Sequence, residues 1–228
     1  MKRFFRRHAT LWMLIGFCLL LGLFLSLRTG IFFTGRNLIN ILEANSFKLL
    51  LAIGMAFVIA SGGIDLSVGS ILSLSAIFTA LCMKQNIPVW LAILVGLLSG
   101  ILMGLINGAL IHFTGINAFI ITLGTSFLYR GLALIVSRGT PVSKLPAAYR
   151  AFGGGDIFQV ESGVYMALLV LLLSIPLLYK MRWGHYITTL GGNPVALRRC
   201  GVRTGAWRIS TFAVMGFLAA LAGILISA

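Results

Sequence analysis

Acidic side chains are nearly missing from this chain. Its 228 residues hold only Glu43, Asp65, Asp156 and Glu161 against 18 Lys plus Arg, for a net charge of +14. Charge of either sign is scarce, at 10% of residues, where a soluble domain carries about a quarter. A globular core of this size cannot hide a chain that is 59% hydrophobic with mean hydropathy +1.05, so part of its solvent is lipid. Cysteine is sparse as well. Cys18, Cys82 and Cys200 show neither metal spacing nor an even count, and read as small apolar fillers without a redox role. His8, His112 and His185 stand far apart. No nucleophile–base pair, metal cluster or GxxxxGK[ST] phosphate loop occurs, so the sequence offers no catalytic residue, no metal ligand set and no means of gripping a nucleotide itself. It reads as a protein that is not an enzyme and binds no cofactor.

What is present is long apolar runs. A span needs about 20 such residues. Candidates are 10–27, 37–60, 66–83, 89–111, 118–137, 163–179 and 209–228, seven spans joined mostly by short connections. Backbone in lipid must satisfy its own hydrogen bonds, which predicts an all-α polytopic helical bundle with no strands. The exceptions to the short connections are 138–162, rich in Gly and Pro, and 180–208, rich in Arg and Gly. The opening "MKRFFRRH" resembles the basic region of a signal peptide. The apolar run behind it lacks a small-residue cleavage site and reads as a retained first span.

Residues 37–83 would measure about 70 Å as one helix, far more than a core about 30 Å thick. Two crossings with a turn at "SGGID" fit better. On that count Lys2, Arg3, Arg6, Arg7, Lys180, Arg182, Arg198, Arg199, Arg203 and Arg208 share one side. The other side holds Arg28, Arg36, Lys84, Arg138, Lys144 and Arg150, with Asp156 and Glu161 among them. The excess of basic residues places the N-terminus and 180–208 in the cytoplasm and 138–162 outside it.

The stretch "SGGIDLSVGS" sets Asp65 and two glycines between the greasiest runs of the chain. A carboxylate at depth costs a few kcal/mol and must face protein or water. Asp65 either caps a helix that starts at Leu66, with Gly62 and Gly63 turning the chain, or lines a path for a polar solute together with Ser67. The two readings are compatible, because broken helices are tolerated only beside protein or a wet cavity. In "GLLSGILMGLING", Gly96, Gly100, Gly104 and Gly108 repeat every four residues and form a smooth face against which another helix lies close. Asn107 beside them serves a cross-helix hydrogen bond or meets a polar solute. Arg130 either snorkels along a tilted span or is bound inside the bundle.

The basic connection contains "GGNPVALRRCGV". Asn193 suits an N-cap, Pro194 the first helical position, Gly201 the left-handed stop, and Arg198 and Arg199 complement the dipole at the last turn. A two-turn helix 194–200 is too short to stand alone. It lies on anionic headgroups or seats in a cytoplasmic partner.

These segments, together with "NAFIITLGTSFLYRGLALIVSRGTPVS" and "FLAALAGILISA", resemble in order the ribose-type permease family, the membrane subunits of bacterial ATP-binding-cassette importers for monosaccharides. The resemblance runs from about Asn37 onward. It implies a multi-pass protein of the bacterial inner membrane that pairs with a second permease subunit as a homo- or heterodimer. It also implies an extracytoplasmic solute-binding protein facing 138–162, and two cytoplasmic ATPase subunits that carry the ATP and Mg. Nucleic acid is not among the partners implied. Gly192, Asn193, Ala196, Leu197, Arg198 and Gly201 resemble the segment that couples to the ATPase, although the Glu-Ala-Ala common there is matched only by Ala196. Family members run to about ten spans, so the chain is expected to be C-terminally truncated. Two other readings compete: a self-sufficient ion-coupled carrier using Asp65, and a non-transporting membrane scaffold.

Overall fold

The computed structural model describes residues 9–228; the basic tail of the topology argument, Met1–His8, lies outside them. Each predicted span is a helix. In chain order these are α1 (Ala9–Thr29), α2 (Gly35–Ala60), α3 (Val68–Lys84), α4 (Val89–Thr114), α5 (Ala118–Ser137), α7 (Ser162–Tyr179) and α10 (Thr204–Ser227). Six are long and apolar enough to cross a bilayer, and α3, at 17 residues, is the shorter seventh. The long connections are ordered too. Residues 138–162 hold α6 (Ala147–Gly154) and the strands β1 (Asp156–Ile157) and β2 (Val160–Glu161); 180–208 hold α8 (Arg182–Gly192) and α9 (Pro194–Arg199).

The fold is all-α as expected, apart from these two strands of two residues each. They pair antiparallel, Asp156 with Glu161 and Ile157 with Val160, around Phe158 and Gln159, both at positive φ. Such a two-residue turn usually advertises itself with Asn-Gly or Asp-Gly, and "DIFQVE" carries neither.

The chain divides into two units, residues 1–44 and 45–228. In the first, α1 presents apolar side chains on all sides, as a helix bathed in lipid does. Gly22 lies under the rings of Phe32 and Phe33, which meet edge to face. Asn37 donates its amide to the Phe32 carbonyl at 2.7 Å, fixing the turn that starts α2.

The second unit is built around α10, the most enclosed span. The glycine ladder of α4 lies antiparallel along it. A methyl group added at Gly104 would strike the Phe212 carbonyl, one at Gly100 the Ala220 side chain, and one at Gly108 would come within 2.7 Å of the Ile209 Cα. The four-residue repeat predicted in the sequence therefore finds its partner in the last span, and α10 answers with Gly216 against the backbone of Gly100. On the other flank α3 and α5 run parallel at a constant offset: Leu66 bonds to Thr122 and Ser70 to Ser126.

At one end of the unit, α6 is pinned to the end of α10. Tyr149 is fully enclosed, its hydroxyl 2.7 Å from Ser227 Oγ and 3.1 Å from the Ile224 carbonyl that accepts its proton. Burial pushes this phenol above its ordinary pKa, and the bond to Ser227 opposes the shift. At the opposite end, Trp183 of α8 meets Phe57 edge to face and donates to Ser210 Oγ at 3.0 Å. Of the cysteines, only Cys82 is partly enclosed; Cys18 and Cys200 are exposed, so they do not fill apolar gaps as expected.

Candidate functional site

The break between α2 and α3 is made by backbone chemistry. Gly62 adopts φ +83°, its N–H reaching the Ile59 carbonyl at 2.9 Å, while Gly63 N–H reaches that of Val58 at 3.0 Å. This double closure with a left-handed glycine is how a helix is stopped within one residue. Gly63 has ordinary conformation, and a methyl group there would sit at 3.4 Å contact, so only Gly62 of the pair is required by geometry.

Asp65 does not cap α3 as expected. That helix starts at Val68, not Leu66, and its N-cap position, Ser67, has no side-chain cap. Asp65 Oδ1 accepts instead from the Ser67 amide at 2.8 Å and the Ser67 hydroxyl at 2.6 Å, folding the carboxylate back over the turn before the helix. Such a local turn competes with the helix for the same amide and delays its start by two residues. Leu66 N–H donates to Thr122 Oγ1 at 3.0 Å and the Thr122 hydroxyl reaches the Ile64 carbonyl at 3.3 Å. Thr122 is the fifth residue of α5, so the break lies about 6 Å along that helix, inside the bundle.

A buried polar chain continues from there. Asn107 donates from Nδ2 to Ser67 Oγ at 2.8 Å, and Tyr129 donates to Asn107 Oδ1 at 3.2 Å and to the Met103 carbonyl at 3.1 Å. Asp65, Ser67 and Asn107 are completely enclosed, and Tyr129 nearly so. Of the alternatives for Asn107, the structure realises the cross-helix bond. Asp65 Oδ2 is the buried side-chain oxygen left without a hydrogen-bond partner among the described residues. Thr122 and Tyr129 were not singled out from the sequence. Their signal was there in the hydroxyls of "ITLGTSFLYR", which recur at Thr122, Ser126 and Tyr129 on one helical stripe.

A second close approach joins this break to the basic connection. A methyl group on Gly62 would lie 3.2 Å from the Gly191 Cα, and one on Gly191 would meet the Ala60 carbonyl and come within 2.9 Å of Gly62 N. Gly191 is the penultimate residue of α8, three residues before α9 begins. Asn193 Oδ1 accepts from Ala196 N–H at 2.9 Å, Pro194 occupies the first turn, and Gly201 turns left-handed at φ +78° as Val202 N–H closes on the Leu197 carbonyl. Leu197 is enclosed and anchors α9 to the bundle, whereas Val195, Ala196, Arg198 and Arg199 are exposed. Beside the break, Ser61, Gly62, Asn117, Arg208 and Phe212 border a cavity of about 170 Å³.

The geometry is that of a polytopic helical membrane protein with a broken helix held at depth and a short capped helix outside the lipid. Comparison with known proteins agrees. Residues 37–228 match the family model described as "Branched-chain amino acid transport system / permease component". The chain belongs to this family, as a multi-pass protein of a bacterial inner membrane. It is 34% identical over 200 residues to the ribose import permease protein RbsC of Haemophilus influenzae, covering 86% of this chain and 62% of that protein. It is 33% identical over 226 residues to the D-allose transport system permease protein AlsC of Escherichia coli K12, covering 99% of this chain and 68% of that one. The fructose import permease protein FruF of Bifidobacterium longum is 32% identical over 195 residues, with 84% and 55% covered. The chain therefore spans about 62% of the length of the ribose permeases it matches. No solved structure matches it.

Proposed function

We propose that this chain is the permease subunit of an ATP-binding-cassette importer and forms the membrane path for a monosaccharide delivered by an extracytoplasmic binding protein. The observation that carries the reading is the contact of Gly62 with Gly191. It seats the α2–α3 break, with its buried Asp65–Ser67–Asn107–Tyr129 chain, directly on the segment that leads into α9. ATP hydrolysis belongs to cytoplasmic partner subunits, which grip the exposed face of α9 at Val195, Ala196 and Arg199. Displacement of α9 moves α8 and the break together, and the path alternates between its two openings without covalent chemistry. Sugars named for the relatives (ribose, allose, fructose) support the solute class. A second permease subunit completes the path.

The test is reconstitution of the full permease with its ATPase and binding protein. The variant Val195→Asp with Ala196→Asp alters only exposed positions of α9. It should abolish ATP hydrolysis stimulated by the binding protein while leaving the helical circular dichroism intact. Unchanged stimulation in that variant overturns the coupling role.

A further inference from the structure

The two flanks of α3 differ in chemistry. On one, Leu74, Phe78, Leu102, Met103, Leu128 and Leu132 border an almost wholly apolar cleft between α3, α4 and α5. On the other, α3 and α5 border an open groove of about 380 Å³ whose walls carry Gly69, Ser70, Ser73, Ser126 and Arg130. Ser70 and Ser126 share a hydrogen bond of 3.0 Å, and Ser73 donates to the Gly69 carbonyl at 2.9 Å, so each hydroxyl keeps lone pairs to offer. The Arg130 guanidinium is exposed and has no hydrogen-bond or ionic partner among the described residues, leaving five N–H donors free. A methyl group at Gly69 would meet nothing within 4 Å, so the groove has a smooth open wall there.

Position makes this groove informative. Ser126 is the ninth of the 20 residues of α5 and lies about 12 Å along it, near the middle of the span. A guanidinium near the middle of a span is costly against hydrocarbon and is favoured against protein or water. The groove also reaches Leu66, the residue next to Asp65 within the break. Its size falls within the range of small-molecule sites. It offers donors, on Arg130, and acceptors, the serine lone pairs, and it holds no acidic group. That combination suits an uncharged polyol, whose oxygens accept from Arg130 while its hydroxyls donate to serine lone pairs.

Resting on the permease reading above, we propose that Ser70, Ser73, Ser126 and Arg130 are a hydroxyl-binding wall of the translocation path, the surface a sugar touches between the outer opening and the Asp65 break. Arg130 supplies the fixed donors and Gly69 the clearance. The apolar flank of α3 faces lipid or apolar protein.

The test is water access in the full permease assembled with its ATPase and binding protein in lipid nanodiscs. Cys18, Cys82 and Cys200 are first replaced by serine. Ser73→Cys and Ser126→Cys are near-isosteric. Leu128→Cys, at the depth of Ser126 on the opposite face of α5, is the reference. The negatively charged methanethiosulfonate MTSES should label the two wall positions more than about tenfold faster than Leu128→Cys. The wall assignment is overturned by labelling at the Leu128→Cys rate, which makes this flank lipid-facing. It is equally overturned if Ser73→Cys forms a disulfide with its counterpart in a second subunit and resists MTSES, which makes it an interface. Reconstituted instead in sealed proteoliposomes, Gly69→Leu fills open space and should lower uptake of D-ribose, D-allose and D-fructose alike at least about tenfold while binding-protein-stimulated ATP hydrolysis persists. Loss of that stimulation in the cysteine-free parent is a failure of the permease reading, and MTSES labelling still reports on the wall.

Discussion

Gly62 and Gly191 touch backbone to backbone: the Cα of one lies 3.2 Å from where the other would carry a methyl group. A contact this close between a turn and the end of a helix leaves no side chain to deform, so a displacement of one is transmitted to the other. Neighbouring glycines supply controls. Gly191→Ala must push against the Ala60 carbonyl and Gly62 N, and should lower stability by about 1–3 kcal/mol. Gly192→Ala meets nothing within 4 Å and should be neutral. Thermal unfolding in detergent measures both. In the same assay Gly62→Ala, at φ +83°, should be destabilising and Gly63→Ala tolerated.

The glycine ladder gives a second contrast. Gly104→Ala drives a methyl group into the Phe212 carbonyl and should separate α4 from α10, with a loss of several kcal/mol or failure to assemble. Gly124→Ala and Gly131→Ala lie on α5 with open space around them, and should be neutral or stabilising by up to about 1 kcal/mol through helix propensity. The melting temperature of the purified permease reads the difference.

The polar chain behind the break should respond according to which bond is lost. Tyr129→Phe removes one hydroxyl shared between Asn107 Oδ1 and the Met103 carbonyl, for a loss of about 1 kcal/mol. Asn107→Leu removes the donor to Ser67 Oγ and one of the two acceptors of the Tyr129 hydroxyl, while Ser67 still donates to Asp65 and Tyr129 to the Met103 carbonyl, and should cost about 1–3 kcal/mol. Asp65→Asn keeps the Oδ1 acceptor for Ser67 and should be milder than Asp65→Leu, which leaves the Ser67 amide buried without a partner. Hydrogen exchange of residues 61–70 locates the effect.

How far these contacts could be read in the sequence depended on their range. The existence of the seven helices, the α9 cap at Asn193 and the stop at Gly201 are written in local apolar runs and in residues three or four apart, and each is present, although α10 starts at Thr204, five residues before the apolar run that announces it. The start of α3 was missed by two residues because an aspartate can cap a helix or fold over the turn before it, and only the side-chain direction distinguishes the two. Gly191 gave no signal at all. A glycine beside a second glycine ahead of Asn193 reads as loop, and its reason for being small is Gly62, far away in the chain. The same holds for the Thr122 hydroxyl, which serves the backbone of another helix. Leu197 shows the converse: placed by resemblance on the coupling face, it is turned into the bundle by the helical register.

Tyr149 ties α6 to α10, and its raised pKa fixes a pH dependence. The neutral phenol is the form the folded state favours, so this contribution is complete below the ordinary tyrosine range and is lost as pH rises through the raised value. Docking of α6 should therefore loosen in alkali. Tyr149→Phe, lacking the bonds to Ser227 and Ile224, should lose about 1 kcal/mol at neutral pH and show no alkaline step. Protease accessibility of residues 138–162 as a function of pH measures this.

The central claim is that the α2–α3 break and α9 move as one body. Nitroxides at Ile64→Cys and Arg199→Cys, both exposed positions, report it in the assembled transporter by pulsed electron resonance. The distance between them should stay constant to within about 2 Å between the nucleotide-free and ATP-bound states, while either label changes its distance to the opposite subunit. A change of more than about 5 Å between Ile64 and Arg199 on ATP binding would mean that the break does not follow the coupling segment, and would contradict the account.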